Sequence, residues 1–174
     1  MAYTPITDWR GLLFRRQLTR ALDELDGAGG SVYSLCKAKG SNSSASVANT
    51  EAAISWASPA INTGSDVSVS GSVITVNTTG TYKFTVTLRT DSNNRTELFV
   101  RTYINTGSGL SEDTDELVSN YVARNTYQDT GAVTLITALS LSATNTVEFR
   151  GEGDCAGSCT MLDRGTLLLV ERVA

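Results

Sequence analysis

The stretch Tyr82-Lys83-Phe84-Thr85-Val86-Thr87-Leu88-Arg89 sets an apolar or aromatic side chain at every second position, and the chain enters it through Asn77-Thr78-Thr79-Gly80. A period of two belongs to a β-strand with one buried face and one wet face. The same period recurs along most of the chain beyond residue 30. It marks candidate strands at 31–38, 52–56, 66–70, 73–76, 81–89, 96–104, 117–123, 132–141, 146–150 and 165–173. Turn-rich segments separate them at 40–46, 90–94, 107–115 and 151–158. Short strands at this spacing predict an all-β domain, a ten-stranded jelly-roll sandwich rather than a parallel α/β sheet.

Ahead of this domain the spacing predicts one short amphipathic helix over 8–26. Thr7 or Asp8 caps it and Gly27-Ala28-Gly29-Gly30 ends it. Phe14, Leu18, Ala21 and Leu25 fall four, three and four residues apart, the spacing of a heptad seam, and Trp9, Leu12, Leu13 and Leu22 widen the stripe. A helix this short is marginal alone in water, so it needs sister helices, its own β-domain or another protein to pack on. Arg10, Arg15 and Arg16 come early and Asp23, Glu24 and Asp26 late, the reverse of what the helix dipole favours. Two readings of Arg15, Arg16 and Arg20 follow: a solvated face, or a basic patch that docks on an acidic partner surface. The chain thus divides into a helical anchor or stalk with a glycine hinge over 1–30 and the β-domain over 31–174.

The 174 residues suffice for one domain with an appendage. A net charge of −4 and a pI near 4.8 argue against nucleic acid as a partner. Residues 1–9 lack the basic start and apolar run of a secretory signal, and no stretch approaches the ~20 apolar residues of a membrane span, so synthesis in a cytoplasm and no membrane partner are expected.

Catalysis has little to work with. There is no histidine, the usual general base and commonest zinc ligand, and the only lysines are Lys37, Lys39 and Lys83. A non-enzymatic protein without cofactor is expected. Cys155 and Cys159 frame Cys155-Ala156-Gly157-Ser158-Cys159, which either closes a small disulfide after release from the cell or holds two loop thiols. With Cys36 on a distant strand they fall short of the four ligands of a structural zinc site. Glu112, Asp113, Asp115 and Glu116, with Glu152 and Asp154, have the chemistry calcium prefers but not the spacing of a calcium loop, and read as solvated acidic loops.

Two strands carry more apolar surface than one sandwich face uses. Thr166-Leu167-Leu168-Leu169-Val170 is apolar on both sides, and 132–139 puts small and apolar residues on its second side as well. Burial on both sides demands a further layer, and a neighbouring subunit is the simplest source.

In this order the segments resemble a known family. Ser31-Val32-Tyr33-Ser34-Leu35, Ile54-Ser55-Trp56, Val73-Ile74-Thr75-Val76 and Gly80-Thr81-Tyr82-Lys83-Phe84 resemble the first half of the tumour necrosis factor and complement globular-head superfamily. The strand over 132–141 resembles its long inner strand, Thr144-Asn145-Thr146-Val147-Glu148-Phe149 its next hairpin, and Gly165-Thr166-Leu167-Leu168-Leu169-Val170 its last strand. The resemblance implies a compact homotrimer with the inner sheet at the threefold axis and Leu135, Leu139, Leu167 and Leu169 at the contact.

The chain has neither the membrane span nor the collagen stalk usual in that superfamily, and in this it resembles small phage virion proteins that present a jelly-roll head. The expected function is capsid decoration or a head fibre, held on the major capsid or another virion protein through Trp9, Phe14, Arg15, Arg16, Leu18, Arg20, Ala21 and Leu25. Loops near 90–94, 107–115 and 151–158 would then face a host glycan or receptor. The alternatives are the receptor-binding tip of a tail fibre and a cytokine-like or bacterial-surface ligand.

Overall fold

The computed structural model describes residues 34–41, 45–92, 96–122, 129–155 and 157–173, and for 114–122 and 129 the backbone only. The expected helix over 8–26, with all its anchor residues, lies outside them.

Twelve strands run through the described residues: β1 (Leu35–Lys39), β2 (Ala52–Ala53), β3 (Ile61–Thr63), β4 (Val67–Ser70), β5 (Val73–Val76), β6 (Gly80–Ser92), β7 (Thr96–Asn105), β8 (Leu110–Val122), β9 (Asp129–Leu141), β10 (Thr146–Cys155), β11 (Cys159–Met161) and β12 (Leu167–Arg172). They form two antiparallel sheets. The first has the order β9-β6-β12-β1-β3, with β11 continuing the line of β12 along β6. The second has the order β4-β5-β10-β7-β8, with β2 beside β10 beyond the end of β5.

The alternating stretch forms the spine of this arrangement. In β6 the side chains of Tyr82, Phe84, Val86 and Leu88 are fully buried, while the residues between them face outward. Across the core, Val147 and Phe149 of β10 and Leu98 and Val100 of β7 are equally buried. The Phe84 and Phe149 rings lie 5.6 Å apart at 57°, a tilted pairing that adds to the burial of both. Each such side chain contributes about 1.5–3 kcal/mol by leaving water.

Two short strands were not expected. β3 is fully exposed and has no apolar alternation, but it is held on β1 by its ladder and by the Ser34 hydroxyl donating to the Thr63 carbonyl at 2.9 Å. β11 lies just past the glycine-rich segment and pairs with the end of β6.

Several segments read as loops are strand. Thr90–Ser92 pairs with both β9 and β11, Leu110–Asp113 pairs with β7, and Gly151–Cys155 continues the β10 ladder on β7. The glycines at 151 and 153 face the core, where larger side chains already stand: a Cβ on Gly153 would lie 3.0 Å from the Cys159 sulfur.

The ladders also fix the two ends of the sandwich. Leu35 lies opposite Glu171 and Thr63, Gly80 opposite Leu141, and Asn105 opposite Thr146. The chain therefore enters β1 at the end that carries the turns 77–79, 106–109 and 142–145. The β6–β7, β8–β9 and β10–β11 connections lie at the other end, the 13-residue length of β6 away, about 40 Å at the rise of a strand. The loop expected near 107–115 thus does not share an end with those near 90–94 and 151–158.

Candidate functional site

The outward face of the first sheet is built from alternate residues of its strands. One row crosses it through Ile136, Thr85, Leu169, Lys37 and Ile61, each opposite the next in the ladder. A second row runs through Thr134, Thr87, Leu167 and Lys39, with the Thr87 and Thr134 hydroxyls 3.0 Å apart. A third runs through Ala138, Lys83, Glu171 and Leu35, with Lys83 Nζ 3.4 Å from a Glu171 oxygen.

Apolar residues of this face stand open. Ile136 is 60% exposed, Ile61 41% and Leu167 37%. Strand β9 sharpens the point, because its only strand partner among the described residues is β6. From Thr130 to Leu141 it carries no charge and no proline, so it lacks the devices that usually keep an edge strand from pairing with another chain. A face and an edge of this kind suit packing against another chain.

Of the four residues expected at a subunit contact, Leu167 and Leu169 lie on this face. Leu135 and Leu139 do not: they are 5% and 8% exposed and point into the core between the sheets. In β9 the odd-numbered residues face inward, so Thr134, Ile136 and Ala138 hold the outward positions. Ile136, the most exposed large apolar residue on the face, escaped the sequence reading because its two leucine neighbours drew the assignment to the opposite parity.

On the outward face of the second sheet, charged side chains from several strands pair with one another. Arg101 binds three carboxylates: Glu51 from Nε at 2.9 Å, Glu112 from Nη1 at 3.3 Å and Glu152 from Nη2 at 2.8 Å. Arg150 binds Glu148 at 2.7 Å, and its guanidinium stacks 4.3 Å over the Tyr103 ring. The Tyr103 hydroxyl donates to Glu51 at 2.6 Å. Burial, followed by that bond and the Glu51 charge, pushes the Tyr103 hydroxyl up to about 12. Burial opposes the Arg101 cation, but its glutamates more than offset this and raise its pKa. Glu112 and Glu152, expected in solvated acidic loops, are strand residues that hold Arg101.

Cys36, Cys155 and Cys159 are free, buried thiols. Cys155 ends β10 in the second sheet and Cys159 opens β11 in the first, at the end remote from chain entry.

This strand order, with a long β6–β9 pair and the last strand inserted between β6 and β1, can be set beside known folds. No protein-family model matches the chain, and no curated protein matches it. Solved structures do. Murine APRIL at pH 8.0 superposes with a TM-score of 0.59 at 11% identity over 81% of this chain and 99% of that one. Its pH 8.5 structure gives 0.58 at 13% identity, with the same coverage of both chains. Eiger TNF from S. frugiperda gives 0.53 at 16% identity, over 82% of this chain and 93% of that one.

The fold is the tumour necrosis factor jelly roll. At these identities the likeness concerns the fold alone. Ile136, Leu167 and Leu169 share the outward face of the sheet that holds β6, β9 and β12.

Proposed function

We propose that this chain is a non-enzymatic structural protein of a phage particle, a homotrimeric capsid decoration or head-fibre protein. It is made in the host cytoplasm and attached to the capsid or another virion protein through residues 1–26. The observation that carries the reading is the open face around Ile136, which with the uncharged edge of β9 calls for cover by further copies of the chain. Three copies related by a closed rotation cover three such faces at once and leave no open edge for fibre growth.

The polarity of the sandwich supports attachment through the N-terminal segment. The chain enters β1 at one end, so the connections at the other end are free to point away from the particle. Arg15, Arg16 and Arg20 supply the charge for an acidic capsid surface. The tail-fibre reading uses the same trimer and turns the far connections toward a host glycan or receptor. The fold likeness favours a second reading, a cytokine-like or bacterial-surface ligand.

Co-sedimentation of the full chain with undecorated capsids separates these readings. Binding that is lost when Arg15, Arg16 and Arg20 are all changed to Glu, with native mass unchanged, is the expected result. Binding to intact cells that survives the same change, with none to capsids, overturns the decoration reading in favour of a ligand.

A further inference from the structure

The turn from β10 to β11 carries the chain from one sheet to the other, and a cysteine stands on each side of the crossing. Cys155 lies opposite Thr96 of β7 and Cys159 opposite Ser92 of β6. The sheets are close here, since the Ser92 and Thr96 hydroxyls are 2.7 Å apart. Both cysteines are at most 2% exposed.

Their surroundings hold them in place. The Asn49 side chain donates to the Cys155 carbonyl at 2.6 Å and accepts from the Cys155 amide at 3.1 Å, clamping that residue's backbone from a distant segment. The Cys155 thiol donates to the Gly157 carbonyl at 3.4 Å. The Cys159 sulfur fills the space that a side chain at 153 would need. Residues 153 and 155 share the inward face of β10, so the Cys159 sulfur stands beside the position next to Cys155 on that face.

We propose that Cys155 and Cys159 form a redox clasp, a dithiol that closes into an intrachain disulfide and pins the second sheet to the first at the end remote from chain entry. With oxidised glutathione as the oxidant, one cysteine thiolate attacks its disulfide and releases one glutathione. The second cysteine sulfur then displaces the other glutathione. Two electrons pass from the cysteines to glutathione, and the two thiol protons end on the two glutathione products. Burial, the leading cause, pushes the Cys159 thiol up to about 11, so closure is slow at neutral pH and faster in alkali. The clasp is independent of the virion reading.

The test refolds the full chain in mixed reduced and oxidised glutathione, alkylates it and digests it with trypsin without reductant. Cleavage after Arg150 and Arg164 isolates the peptide 151–164, which holds Cys155 and Cys159 but not Cys36. The expected peptide is unalkylated and two hydrogens light, both in the natural chain and in Cys36→Ser. A peptide carrying two alkyl groups or glutathione, or one linked to Cys36, overturns the proposal. The closed protein is expected to melt about 4–8 °C above its reduced form, as a short closed loop allows. Equal melting would overturn the pinning role.

Discussion

Gly151 and Leu88 meet across the core so closely that a Cβ at residue 151 would lie 2.5 Å from Leu88 Cδ2. Leu88 is fully buried, so it cannot simply swing into solvent. Gly151→Ala is expected to cost about 1–3 kcal/mol by overpacking and to lower the melting temperature by roughly 2–12 °C. Adding Leu88→Ala should make the double variant less unstable than the sum of the two single changes. Additive losses in thermal melts would mean that the two sites do not compete for space.

Thr144 is a β-branched residue at φ 76° in the turn between β9 and β10. The turn needs that conformation because the Thr144 amide donates to the Val76 carbonyl at 2.8 Å. Left-handed backbone costs an L-residue roughly 1–2 kcal/mol, and asparagine tolerates it better than threonine. Thr144→Asn is therefore expected to raise stability by about 0.5–1 kcal/mol in denaturant titrations. A lower midpoint would show that the threonine side chain contributes something the strain argument omits.

Tyr103 links stability to alkaline pH. Its folded pKa of about 12 lies above the usual tyrosine value of 10, so the folded state retains the proton longer than the unfolded chain does. The stability from this shift is complete below about pH 10 and is lost as pH rises toward 12. The gap in melting temperature between the natural chain and Tyr103→Phe should therefore narrow as pH climbs through that window. A gap that widens would reverse the sign and refute burial beside the Glu51 carboxylate as its source.

The alternation from Tyr82 to Leu88 was legible because inward and outward residues differ in chemistry at every step. The strands over 73–76, 96–104 and 132–141 were legible from their β-branched, aromatic and other apolar residues between turn-rich segments. Gly151 and Gly153 misled because glycine signals a turn when it needs conformational freedom, whereas here it yields space to Leu88 and Cys159 inside a regular strand. Glu112 and Glu152 misled because their partner, Arg101, is contributed by another strand, and no local pattern announces a long-range ion pair. In β9 both parities are uncharged, so Leu135 and Leu139 could be told from Ile136 only once the packing against the second sheet was known.

Self-association through the first sheet is the claim on which the rest depends. Ile136 is 60% exposed, so a charge there leaves the folded subunit unstrained while placing an unpaired carboxylate in any interface built on that face. The decisive measurement is the native mass, by light scattering, of the full chain and of Ile136→Glu. The account predicts a trimer for the natural chain and a monomer of unchanged melting cooperativity for the variant. A natural chain that is monomeric, or a variant that remains trimeric, would contradict it.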